Sequence, residues 1–171
     1  MKFLVKKIGV LTAAVAFSAS ILAADLSKKD AEDFFWKLVE SVRNESADYF
    51  NFFASDAKIT YELPESYQMK SGEISLKDLK QYQEETWSYT DNYSFDLEKP
   101  KVVTKGGKAT INTTFYERYT TQGSTTTNES IQKYVLGRQG GNIKVLEFKS
   151  IVHDLTKQQY EEKKKTKAMK K

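Results

Sequence analysis

Along this chain the spacing of apolar side chains changes once, near Asp91, from a repeat of about 3.6 residues to a repeat of two. Before that point Phe34, Phe35, Leu38, Val39 and Val42 form a stripe opposite Asp33, Lys37, Glu40 and Arg43, which predicts an amphipathic helix over 28–45. Ser27, with Asp30 three residues on, is its N-cap. A short helix with Tyr49, Phe50, Phe52 and Phe53 follows and ends near Ala54. Residues 57–63 read as a strand closed by Pro64, and residues 65–74 as a loop around Ser71-Gly72. Ser75 and Asp78 open a third helix, in which Leu76, Leu79, Tyr82, Thr86 and Trp87 share a side. After Asp91, Tyr93, Phe95 and Leu97 alternate with polar residues, and Pro100 marks a bulge or edge. Turns at Gly106-Gly107, Gly123 and Gly140-Gly141 separate strands through residues 109–116, 131–136 and 143–153. Three helices and then about four antiparallel strands make an α+β order.

The two ends differ from this middle. Lys2, Lys6 and Lys7 precede an apolar run from Ile8 to Leu22, and Ala23 and Ala24 lead into Asp25. That pattern reads as a secretory signal peptide over residues 1–24, cut after Ala23 or Ala24 and delivering a periplasmic or secreted protein. Residues 155–171 hold seven lysines against two glutamates and read as a frayed, solvated tail. With both ends set aside, the overall charge of +4 becomes −4 for residues 25–154. A nucleic-acid-binding face is therefore not expected. The tail lysines Lys163, Lys164, Lys165, Lys167, Lys170 and Lys171 offer contact with an anionic surface instead.

Several chemistries are excluded. The chain has no cysteine and one histidine, His153, so disulfides, thiol nucleophiles and multi-histidine metal sites are out. No Gly-rich phosphate loop, Ser-His-Asp set or clustered carboxylate motif occurs, and no cofactor or metal is expected.

The run Phe53-Ala54-Ser55-Asp56-Ala57-Lys58-Ile59-Thr60-Tyr61, the Ser71-Gly72 loop, the third helix and the closing Gly141-Asn142-Ile143-Lys144-Val145-Leu146-Glu147-Phe148 carry a resemblance. Over residues 25–154 the chain resembles the nuclear transport factor 2-like superfamily, in style its SnoaL-like branch. The resemblance implies N-terminal helices packed in a curved antiparallel sheet, a cone-shaped, cystatin-like roll with an apolar pocket. It also implies a choice among isomerases, dehydratases, polyketide cyclases and non-catalytic binding or dimerising modules, so a homodimer is one expected state. Fold does not decide between them.

For an isomerase the resemblance implies three features: a carboxylate base at the end of the first strand just before a proline, a tyrosine on the first helix and a protonated acid on a later strand. Here Leu63 precedes Pro64, Glu62 is one place earlier, and the first helix has no tyrosine. A histidine–aspartate pair is offered by His153 and Asp154, but neighbours on a strand face opposite ways. Glu62, His153 and Asp154 are thus weak catalytic candidates. Tyr61, Phe115, Tyr116, Tyr134, Leu146, Phe148 and Val152 are the expected pocket lining, and Glu117-Arg118 reads as a charged pair on a solvated outer face. A largely apolar cone without a buried acid would bind an apolar small molecule, or a protein partner, without turnover. The alternative is a small lyase, isomerase or cyclase using Tyr and Asp/Glu groups in the same pocket. An ionisable residue with a displaced pKa inside the cone would discriminate the two.

Overall fold

The computed structural model describes residues 25–67 and 69–168. The expected leader, residues 1–24, lies outside them, as do Lys170, Lys171 and the Lys167 side chain.

Helix α1 spans Lys28–Arg43, two residues shorter than its spacing predicts, because Asn44 caps it and Glu45 takes a positive φ of 50°. Its stripe faces inward: Phe35, Leu38 and Val39 are buried, whereas Trp36 is 47% exposed. The aromatic segment is a 3-10 turn, Ala47–Phe52, capped by Ser46. Strand β1 then starts earlier than expected, spanning Phe53–Glu62. The expected loop contains a short strand, β2 (Gly72–Ile74), antiparallel to β1. Helix α2 (Leu76–Tyr89) carries the full capping box: Ser75 Oγ accepts from the Asp78 amide, and the Asp78 carboxylate accepts from the Ser75 amide. Ser75→Ala is expected to cost about 1 kcal/mol and to lower the melting temperature by roughly 2–4 °C. Calorimetry checks this, and an unchanged melting temperature would show the cap to be idle.

Five strands follow rather than four: β3 (Asn92–Leu97), β4 (Lys101–Lys105), β5 (Lys108–Thr121), β6 (Ser124–Gln139) and β7 (Asn142–Asp154). Pro100 lies between β3 and β4, which pair one after the other along the same edge of β5. Lacking an amide hydrogen, proline interrupts the ladder there. The sheet runs β2-β1-β7-β6-β5-β3, antiparallel except where β1 lies parallel to β7. It curves around α1 and α2, and the core of Phe35, Leu38, Ile59, Leu79, Ile111, Leu136 and Val145 fills the angle.

A bulge interrupts the β6–β7 ladder. Val135 pairs with Glu147 but Leu136 pairs with Val145, so Leu146 is an extra residue. It is displaced from the inward row of Phe148, Ser150 and Val152 and packs at Gly137, where an added Cβ would lie 2.6 Å from Leu146 Cδ1.

The expected frayed tail is instead a helix as far as it is described. α3 (Lys157–Ala168) lies on the outer face of the sheet, with Tyr160 2% exposed. Lys163 pairs with Glu129 and lies over the Tyr116 ring, and Lys164 pairs with Asp96. Two of the lysines expected to meet an anionic surface therefore meet carboxylates of the same chain.

Candidate functional site: an acid-bearing tyrosine cone

Alternation on the long strands decides what the cone holds. On β5, Phe115, Glu117 and Tyr119 project inward, and on β6 so do Asn128, Ser130, Gln132 and Tyr134. β7 adds Phe148, Ser150 and Val152; β1 adds Tyr61; the 3-10 turn adds Tyr49; α2 adds Tyr82 and Thr86. These side chains enclose an inner chamber of about 90 Å³. An outer cleft of about 460 Å³ shares Tyr67, Tyr82, Thr86 and Tyr119 with it and extends to Tyr89 and Asp154. Between them the Tyr67 and Tyr119 hydroxyls approach to 3.4 Å, and Asn128 Nδ2 donates to Tyr67 at 2.7 Å.

Of the residues expected to line the pocket, Tyr61, Phe115, Tyr134, Phe148 and Val152 lie on this chamber. Tyr116 does not: it takes the opposite parity, and its hydroxyl bonds to Glu98 and Glu129 beneath α3. Leu146 is removed by the bulge. The catalytic candidates are on the surface. Glu62 pairs with Lys149, His153 is exposed, and Asp154 accepts from Ser66 at the rim of the outer cleft. Among the described residues no group of three acids or histidines is placed to hold a metal ion.

The expected solvated pair Glu117-Arg118 is split by the strand, with Arg118 exposed and Glu117 in the chamber. Glu117 opposes Phe95 in register and accepts a hydrogen bond from the diagonal Tyr93 hydroxyl at 2.7 Å. Burial raises its carboxyl pKa above the ordinary glutamate value against the lowering effect of the Tyr93 hydrogen bond. Around it the phenols of Tyr49, Tyr61 and Tyr134 are also pushed up, first by burial and then by neighbouring charge that includes Glu117. The Tyr82 hydroxyl is raised to about 12 by burial. Extending the alternation of Ile111, Thr113 and Phe115 by one step would have pointed to Glu117; its charge hid it.

A raised folded-state pKa has a definite sign. Below the unfolded value both states hold the proton and nothing is lost. As pH rises from there to the folded value the unfolded chain ionises first, and stability falls by up to about 1.4 kcal/mol per pH unit. Glu117→Gln is therefore expected to be more stable than the parent at pH 8 and level with it near pH 4. Urea unfolding at the two pH values measures it. A variant less stable at pH 8 would place the carboxyl in water.

No family model and no curated protein matches the sequence. Solved structures do match. An NTF2-like protein from Cytophaga hutchinsonii aligns at TM-score 0.59 and 10% identity, covering 75% of this chain and 100% of that one. The fold is NTF2-like. The beta subunit of benzoate 1,2-dioxygenase from Burkholderia mallei aligns at TM-score 0.57 and 11% identity over 75% and 91% of the two chains. The S. rosetta CaMKII hub aligns at 0.59 and 14% over 75% and 98%. An NTF2-like cone thus occurs in proteins with very different names, and what this one does rests on its lining.

Proposed function

We propose that this protein is an exported small-molecule binder whose NTF2-like cone holds a ligand without converting it. The basic and apolar leader of residues 1–24 supports export. The observation that carries the binding reading is the cone itself, in which an inner space of about 90 Å³ shares tyrosine walls with a cleft of about 460 Å³. The lining is more polar than the sequence suggests, with Glu117, Asn128, Ser130, Gln132 and Ser150 among the aromatics. Convergent polar groups in an aromatic cavity fix a ligand's orientation.

An acid–base enzyme of the isomerase or lyase kind is the second reading, and Glu117 favours it. A buried carboxyl with a raised pKa is what proton transfer near neutrality uses. The binding reading is preferred because the other lining groups are amides, aliphatic hydroxyls and phenols, and the perturbed phenols are pushed away from neutrality.

Trp87 makes the choice measurable. Its ring lies 6.4 Å from Tyr49 of the chamber wall, whereas Trp36 is on the surface. Small aromatic ligands should change Trp87 emission saturably and be recovered unaltered after long incubation. Turnover that Glu117→Gln abolishes, with the emission change retained, would establish the enzyme instead.

A further inference from the structure

The inner chamber has a one-sided charge inventory. Among the described residues its lining contains one acid, Glu117, and no lysine, arginine or histidine. Elsewhere in the fold, acids meet lysines: Glu62 with Lys149, Glu129 with Lys163, Asp96 with Lys164. The nearby cation of α1, Arg43, packs over the Phe95 ring at 5.1 Å and does not reach the chamber lining. Among the described residues Glu117 thus has a hydrogen bond from Tyr93 but no counter-charge. A buried carboxylate in that position is costly until a cation joins it.

A second observation is independent of Glu117. Asn128 is 3% exposed and lines the same chamber, and its amide nitrogen is engaged by Tyr67. Its Oδ1 is buried with no hydrogen-bond partner among the described residues. An unpaired buried acceptor needs a donor. The chamber therefore presents an anion and an orphan acceptor, and both ask for N–H groups carrying positive charge. Much of the rest of the wall is aromatic, with the rings of Tyr49, Tyr61, Tyr93, Phe115, Tyr134 and Phe148 beside the neutral polar groups of Ser130, Gln132 and Ser150. Aromatic rings are the apolar surface that best tolerates a cation, through the negative face of the π-system.

We propose that the inner chamber takes the cationic head of a small organic amine, with Glu117 as its counter-ion and Asn128 Oδ1 as a second acceptor. The inference rests on the binding reading above and names its ligand class. A chamber of about 90 Å³ takes an ammonium head and a few carbons, and the body of the ligand lies in the outer cleft beyond Tyr67 and Tyr119. Neutral isosteres leave Glu117 unpaired, and anions are repelled by it.

The test compares benzylamine, benzyl alcohol and benzoate by Trp87 emission and calorimetry. Benzylamine should bind at least about tenfold more tightly than benzyl alcohol, and benzoate should not bind. Glu117→Gln should weaken benzylamine by about tenfold or more and leave benzyl alcohol unchanged, with circular dichroism confirming the fold. In the parent protein, affinity for benzylamine should fall as the pH is lowered through the raised Glu117 range. The titratable groups that line the chamber with Glu117 are all phenols, of which Tyr49, Tyr61, Tyr67, Tyr82, Tyr93 and Tyr134 are pushed up; the nearby cation is Arg43, on the Phe95 ring. If the Gln variant does not fold, the ranking of the three probes and the pH dependence decide. Benzyl alcohol or benzoate binding as tightly as benzylamine, or a Gln variant with unchanged benzylamine affinity, overturns the cation inference alone. No binding of any probe up to about 10 mM overturns it together with the binding reading.

Discussion

Raised above pH 10, the protein is expected to unfold in one steep transition, and the absorbance of its buried phenolates should appear only with that transition. Tyr49, Tyr61 and Tyr134 are 4%, 8% and 2% exposed, and burial pushes each hydroxyl above the ordinary value of 10. Their contribution to stability is intact below pH 10, where both states are protonated. Above it the unfolded chain ionises and the folded chain does not, so each costs up to about 1.4 kcal/mol per pH unit. Three such groups together remove about 4 kcal/mol per unit, against a total stability of about 5–15 kcal/mol for a typical domain. Roughly two to three units therefore exhaust it. Far-ultraviolet dichroism followed beside phenolate absorbance checks the coincidence. If these three phenols ionised near pH 10 with the dichroism unchanged, the cone would be wet and its rings poorly packed.

The second large effect concerns the ring at which the strands of the cone meet. Phe148, 3% exposed, touches Tyr134 at 4.9 Å between centroids, Tyr61 at 5.6 Å and Phe53 at 6.0 Å. Phe148→Ala removes the central member of this set and leaves a void next to the inner chamber. The rings around it are held by separate stretches of the sheet and cannot collapse together, so the expected loss is about 3–5 kcal/mol. That corresponds to a fall in melting temperature of roughly 10–15 °C. Thermal and urea unfolding measure it. A loss below about 1.5 kcal/mol would mean that the chamber wall relaxes and that the site is plastic.

The α+β order and the helices are legible in the sequence because periodicity is a local property. Ser75-Asp78 capping and the Phe35-Leu38-Val39 face follow from side chains a few residues apart. The chamber is legible in part, since Tyr61, Phe115, Tyr134, Phe148 and Val152 lie where alternation puts them. The rest is set by distant segments. Leu146 leaves the inward row through a bulge set by the pairing of its neighbours Val145 and Glu147 with β6, and Tyr116 is buried from the other side by α3. The tail is too polar to suggest structure, yet Tyr160 and the ion pairs of Lys163 and Lys164 dock it. At Glu117 charge argues for solvent and strand parity argues for the interior, and parity wins because the whole strand must turn one row of side chains inward.

The parallel pairing of β1 with β7 has a consequence for synthesis. Phe53 pairs with Val145, and Lys58 to Glu62 pair with Glu147 to Ile151, so a strand made early waits for one made almost last. β7 also carries β6 on its other side and sits in the middle of the sheet. Until it has left the ribosome, β1 and β2 are not joined to the strands β3 to β6, and such distant pairing is slow even afterwards. A nascent chain stopped before Asn142 lacks the strand that joins its two halves and should stay open and protease-sensitive. Under the export proposed above, late closure would prolong the time during which the chain can still be threaded through a membrane.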